Sequence, residues 1–160
     1  MQKAKFWLPP GRLFSPMGRM SRLQYLVHGL LAALGFLGLV AASFLFSAVP
    51  NVATLVRGGL YLAYLYFAFC QYAKRLHDIG APAAVALAVI AVPLLFEIVM
   101  ISTHMFAYPA AVMRGLDGAS SAFRGLPALV GLAMLFVPGN KGPNRYGADP
   151  SMPVSQTEVF

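Results

Sequence analysis

Four apolar runs alternate with short polar segments along this chain, and the polar segments carry most of its charge. The runs cover about residues 23–49, 52–73, 82–106 and 123–137. A helix crosses a bilayer core in about 20 apolar residues, so the first and third runs are long enough outright. The second is short between Arg57 and Lys74 and is extended back to residue 52, with Arg57 snorkelling to the interface. The fourth is the shortest and has Pro127 near its start, where a first-turn proline is tolerated. A re-entrant segment is its rival. Ser21 and Gln24 have capping-box spacing and predict the start of the first helix, with Ser15-Pro16 as the alternative start. Pro93 predicts a kink in the third helix. Residues 108–124, rich in Gly, Ser and Ala, read as a connector, and residues 151–160 as a flexible tail.

Three polar signatures punctuate the runs: Gly18-Arg19-Met20-Ser21-Arg22, Lys74-Arg75-Leu76-His77-Asp78 and Gly142-Pro143-Asn144-Arg145-Tyr146-Gly147. Two crossings separate each signature from the next, so all three fall on one membrane face. Lysines and arginines in short loops set the orientation. With the N-terminus inside, Lys3, Lys5, Arg12, Arg19, Arg22, Lys74, Arg75, Lys141 and Arg145 lie on the inner face, and Arg57, Arg114 and Arg124 on the outer. The expected fold is an all-α membrane protein: one domain over residues 1–160, a four-transmembrane-helix bundle with both termini cytoplasmic.

Composition agrees. Hydrophobic residues make up 59% of the chain and charged residues 11%, against about a quarter charged in soluble domains. A soluble domain of 160 residues has no interior large enough for so much apolar surface, and a bilayer does not require one. The net charge of +7 gathers at the ends of the runs, as beside anionic lipid heads. No basic stripe interleaved with exposed aromatics marks a nucleic-acid binder. Cys70 is the single cysteine, which excludes an intrachain disulfide. Pro9, Pro10, Gly11 and Arg12 interrupt the N-terminus before the apolar stretch of a signal peptide forms.

The signatures also hold the candidate chemistry. Arginine forks suit carboxylate and phosphate oxygens and keep their charge near a membrane. Arg19 and Arg22 share a face if helical, as do Lys74, His77 and Asp78, and Arg75 with Asp78. Asp78, the one acid of the three signatures, is the natural partner of an arginine or the orienter of His77. Asn144 and Tyr146 add neutral donors, and the Gly142–Gly147 loop offers backbone amides to an anion. Two readings stay open for Arg19, Arg22, Arg75, His77, Asp78, Asn144, Arg145 and Tyr146: a charged border with one Arg–Asp latch, or a site for an anionic headgroup or phosphorylated ligand. No nucleophile, metal-ligand cluster or nucleotide loop accompanies them, so neither catalysis nor a metal or other cofactor is expected. Inside the apolar runs Glu97 is the lone carboxylate, with His104 about two turns along the same face and Arg57 at a similar depth. These residues read as a packing pair of Glu97 with Arg57, or as a proton or ion relay. His28 reads as a packing hydrogen-bonder.

Phe14, Gly18-Arg19, Arg22 and Tyr25, then Arg75-Leu76-His77-Asp78, then Pro138-Gly139 through Gly142-Pro143-Asn144-Arg145-Tyr146-Gly147 and Asp149-Pro150 carry a resemblance that covers nearly the whole chain. It is similar to the small bacterial inner-membrane proteins catalogued as domain of unknown function 805. The chain departs from them at Gln24 and Leu26, where an acid and a tryptophan are usual, and after Asp78, where Ser-Gly-Trp is usual and Gly80-Ala81-Pro82 stands here. The resemblance implies a four-helix protein of the bacterial inner membrane and no established activity. The expected function is that of a non-enzymatic membrane module. Its cytoplasmic Arg/His/Asp cluster would bind an anionic phospholipid headgroup or a membrane protein partner, a second copy of the chain included. The alternative is a small proton, ion or solute transporter using Glu97 and His104.

Overall fold

The computed structural model of the chain describes residues 8–46, 48–105 and 110–152, and among these it is all-helical, without a strand. The helices are α1 (Pro10–Leu13), α2 (Arg22–Ser43), α3 (Pro50–Asp78), α4 (Ala83–Met105) and α5 (Ala110–Phe136), with a 3₁₀ turn at Phe44–Phe46.

Local chemistry sets most of these boundaries. The capping box forms at the start of α2: Gln24 N donates to Ser21 Oγ at 3.3 Å, and Ser21 N donates to Gln24 Oε1 at 3.1 Å. Ser15-Pro16 lies in the irregular lead-in instead. α2 ends at Ser43, short of Val49, and α3 opens on Pro50, whose missing N–H costs nothing in a first turn. α3 does not stop at residue 73. It runs 29 residues, through the second polar signature to Asp78. It then closes in a Schellman turn: Ala81 N donates to Leu76 O at 2.8 Å and Gly80 N to His77 O at 3.2 Å, with Gly80 at φ +84°.

One expectation is overturned. The stretch expected as a connector is helical from residue 110 onward, so α5 is 27 residues long and Pro127 lies well inside it. Glycine in a helix costs about 1 kcal/mol relative to alanine. The helix nonetheless continues through Gly115, Gly118 and Gly125, and α5 as a whole packs on α4.

α2 packs on α3, α3 on α4 and α4 on α5, and α2 also meets α5, so the four long helices close into a bundle with α1 resting on α3. The described core lies where α2 begins and α3 and α5 end: Met20, Tyr25, Ala73, Leu76, Ala86 and Met134 pack there. Away from that end the leucines face outward, among them Leu30 and Leu37 on α2, Leu62 on α3, Leu95 on α4 and Leu129 on α5. By length and composition, α2 is the helix among the described residues that is long and apolar enough to cross a membrane.

Candidate functional site

The three polar signatures meet on one carboxylate. Asp78, at the C-terminal end of α3, is 4% exposed, and each of its oxygens serves a different arginine. Arg19 donates from Nε and Nη2 to Oδ1 at 3.1 and 3.0 Å, and Arg75, one turn back on α3, donates from Nη1 to Oδ2. Arg19 also donates to the carbonyls of Gly142 at 2.6 Å, Gly147 at 3.4 Å and Asn140. A guanidinium has five N–H groups, and all those of Arg19 are engaged. Arg75 donates from Nε to Met134 O at 3.0 Å and from Nη2 to Val137 O, at the C-terminal end of α5, where carbonyls lack helical partners. The loop after α5 lies against the acid itself. Asn140 N donates to Asp78 O at 2.8 Å, and a Cβ on Gly139 would fall on the Asp78 carboxylate, so only glycine lets the chain pass.

Lys74 caps a different helix. Its Nζ donates to Arg12 O at 2.7 Å and Leu13 O at 3.1 Å, the last carbonyls of α1. Gln71 Nε2 also donates to Leu13 O, at 3.1 Å. A cation at a helix C-terminus is favourable. Lys74 and Arg75, about 100° apart around α3, therefore secure the ends of α1 and α5. Lys74 makes no ion pair among the described residues, and burial lowers its pKa to about 8.

His77 joins the first signature to the third. Its Nδ1 lies 3.1 Å from Gly18 O. A carbonyl oxygen only accepts, so Nδ1 carries the proton. Gly18 has φ +88°, which glycine adopts without strain. The imidazole stacks on Tyr146 with centroids 3.8 Å apart and planes 9° off parallel, and the Arg145 guanidinium lies 4.7 Å from the Tyr146 centroid. Asn144 Nδ2 donates to His77 O at 2.9 Å. The loop amide expected to face an anion is otherwise occupied: Gly142 N donates to Asp149 Oδ2 at 2.9 Å, so the chain supplies its own carboxylate there. Burial pushes Asp149 up, but hydrogen bonds from Ser151 and from Gly142 N outweigh it and hold the carboxyl below its usual range. Burial likewise pushes Asp78 up, and the Arg19 and Arg75 guanidiniums pull back.

Burial lowers the His77 pKa, the nearby Arg145 charge adds to this, and the bond to Gly18 opposes it. The folded chain thus keeps His77 neutral to lower pH than the unfolded chain does. Below about pH 6.5, the ordinary histidine value, the unfolded state takes the proton first and stability falls as pH falls. The melting temperature in detergent should drop between pH 7.5 and 5.5, and His77→Phe should flatten that slope. An unchanged slope would remove His77 as its cause.

Arg22 and Arg145 lie at the same end with exposed side chains, and Arg145 Nη2 donates to Gly80 O at 3.4 Å. The remaining sequence candidates lie elsewhere. Arg57 donates from Nε to Ser43 Oγ at 3.2 Å and lies 4.4 Å from the Phe44 centroid, so it ties down the far end of α2. Glu97 and His104 are positions of α4, but their side chains lie outside the described residues, as do Lys3, Lys5 and residues 153–160 of the tail. Gly139 and Asp149 stood in the sequence only as carriers of the resemblance, and the contacts of Gly139 and Asn140 with Asp78 and of Asp149 with Gly142 were missed. Asp149-Pro150-Ser151 carried the signal of an Asx turn, and Asp149 Oδ1 indeed accepts from Ser151 N at 2.8 Å. Pro138-Gly139 marked a turn, but nothing local marked the approach to Asp78. Beside the latch, a cleft of about 620 Å³ opens between α1, the lead-in to α2 and the loop at Tyr146–Met152, with Arg19 and Lys74 on its wall.

The model of one protein family, described as "Protein of unknown function (DUF805)", matches residues 13–148, a stretch that includes all three signatures. No curated protein and no solved structure matches the chain.

Proposed function

We infer that this chain, which belongs to the DUF805 family, is a multi-pass protein of the bacterial inner membrane and a non-enzymatic module whose polar end engages anionic phospholipid. The observation that carries this reading is the distribution of charge at that end. The latch withdraws Arg19, Arg75 and Asp78 into the protein, and Asp149 is buried with them. Arg12, Arg22, Lys141 and Arg145 stay exposed at the same end, with no exposed acid among its described residues. Each such cation beside an anionic leaflet contributes about 1 kcal/mol of attraction. The outward leucines of α2 to α5 support the setting, because contact with lipid tails costs them nothing. Four crossings in succession would leave both ends of the chain on one side of the membrane, and the excess of positive charge there argues for the cytoplasmic side. Arg19 and Arg75 hold the helices together in this reading, and the exposed cations meet the headgroups.

Topology reporters fused after Tyr72, Ser120 and Phe160 test the placement. We expect cytoplasmic signals at Tyr72 and Phe160 and a periplasmic one at Ser120; the reverse pattern at the last two would refute it. Mass spectrometry of lipid retained on the purified protein tests the ligand. Anionic phospholipid should be enriched over the bulk membrane, and Arg22→Gln with Arg145→Gln should reduce the enrichment. Retained lipid of bulk composition would contradict the reading.

A further inference from the structure

The cleft at the polar end differs from the exposed surface in one respect: it contains a buried cation with no anion. Its wall includes Leu8, Arg12, Met17, Arg19, Lys74 and Tyr146. Asp149 also borders it, but that carboxylate already accepts from Gly142 N and from Ser151 N and Oγ. Arg19 contributes positive potential and no donor, since all five of its N–H groups are engaged. Lys74 is 2% exposed and spends two of its three N–H groups on Arg12 O and Leu13 O. The third is left over, and no carboxylate among the described residues pairs with the ammonium. Neutral carbonyls at the end of α1 offset part of the cost of burying that charge. An unpaired buried cation beside an open cleft is a standing demand for an anionic oxygen.

We propose that this cleft binds the phosphate of an anionic amphiphile, with Lys74 as its buried anchor, Arg12 as a second cation and the apolar Leu8 and Met17 against the non-phosphate part of the ligand. The proposal rests on the reading of this end as lying at headgroup depth. The volume of about 620 Å³ exceeds what a bare phosphate needs, and the cleft wall carries Leu8, Met17 and Met152 beside its cations. Size and lining favour a lipid phosphate over a free phosphate monoester, which shares the same recognition chemistry.

The test titrates the detergent-solubilised full chain with short-chain phosphatidylglycerol, with short-chain phosphatidylcholine and with inorganic phosphate. Phosphatidylglycerol should bind best. Lys74→Met, which keeps the stem and removes the ammonium, should weaken it at least about tenfold, as for loss of one charge-assisted hydrogen bond. Arg114→Gln, exposed and remote on α5, should bind as the parent does. A second readout does not depend on the stability of the Lys74 variant. Met17→Cys places a thiol on the exposed cleft rim, and phosphatidylglycerol should slow its alkylation several-fold, read by peptide mass spectrometry to separate it from buried Cys70. Equal protection by inorganic phosphate would uphold the anion site and assign it a soluble ligand. Undiminished binding by Lys74→Met, or no protection at Met17→Cys, would overturn the cleft site. If Arg22→Gln with Arg145→Gln then abolished binding, the headgroup reading would survive without it. Failure of the parent chain to bind either phosphatidylglycerol or phosphate would overturn both.

Discussion

Asp78→Ala should destabilise the protein by about 3–5 kcal/mol, the usual cost of removing one member of a buried ion pair. The reason lies in what stays behind. Arg19 and Arg75 would keep their carbonyl partners and lose their shared counter-charge, and both side chains are essentially inaccessible to water. Asp78→Asn should cost less, because the amide oxygen still accepts from one guanidinium. It should still cost more than a surface change, because its NH₂ faces the other guanidinium with a donor. Thermal unfolding in detergent, followed by far-ultraviolet circular dichroism, reads the order: parent, then Asn, then Ala. A loss under about 1 kcal/mol for Asp78→Ala would place the carboxylate outside the framework of the fold.

Gly139→Ala should be nearly as damaging, although it adds one methyl group. The new Cβ would coincide with the Asp78 carboxylate, so either the acid leaves its arginines or the loop after α5 moves off α3. Overpacking of this kind costs about 1–3 kcal/mol before any lost ion pairing is counted. The damage passes through Asp78, so the effects should not add: in an Asp78→Ala background, Gly139→Ala should cost much less than it does alone. Gly29→Ala is the control. It lies in α2 with open space around its Cβ position, and should be neutral or slightly stabilising.

How far the chain could be read in advance depended on the range of each interaction. The start of α2 was legible because Ser21 and Gln24 are three residues apart and satisfy each other's backbone. Arg75 and Asp78 were legible as a pair for the same reason. The Arg19–Asp78 contact spans 59 positions, and parity of helix crossings alone argued for it. The meaning of the charges was less accessible. Lys74 and Arg75 read as a border facing lipid heads, yet they turn inward to carbonyls at the ends of α1 and α5, which a sequence does not display. The Gly142–Gly147 loop read as an anion cradle, and the chain fills it with Asp149. Residues 110–124 read as a connector because glycines were weighed as breakers, yet they are helical from residue 110 onward, in a helix whose packing on α4 no local spacing displays.

Asp78 is the acid that joins the three signatures, and a double-mutant cycle between Arg19 and Asp78 is the sharpest test of that role. Arg19→Met, Asp78→Ala and the double variant would be compared with the parent by equilibrium unfolding in detergent. A direct buried contact predicts a coupling of about 1.5–3 kcal/mol, toward the upper end for contacting residues. Effects that add to within about 0.5 kcal/mol would show the two residues to be independent and would contradict the latch.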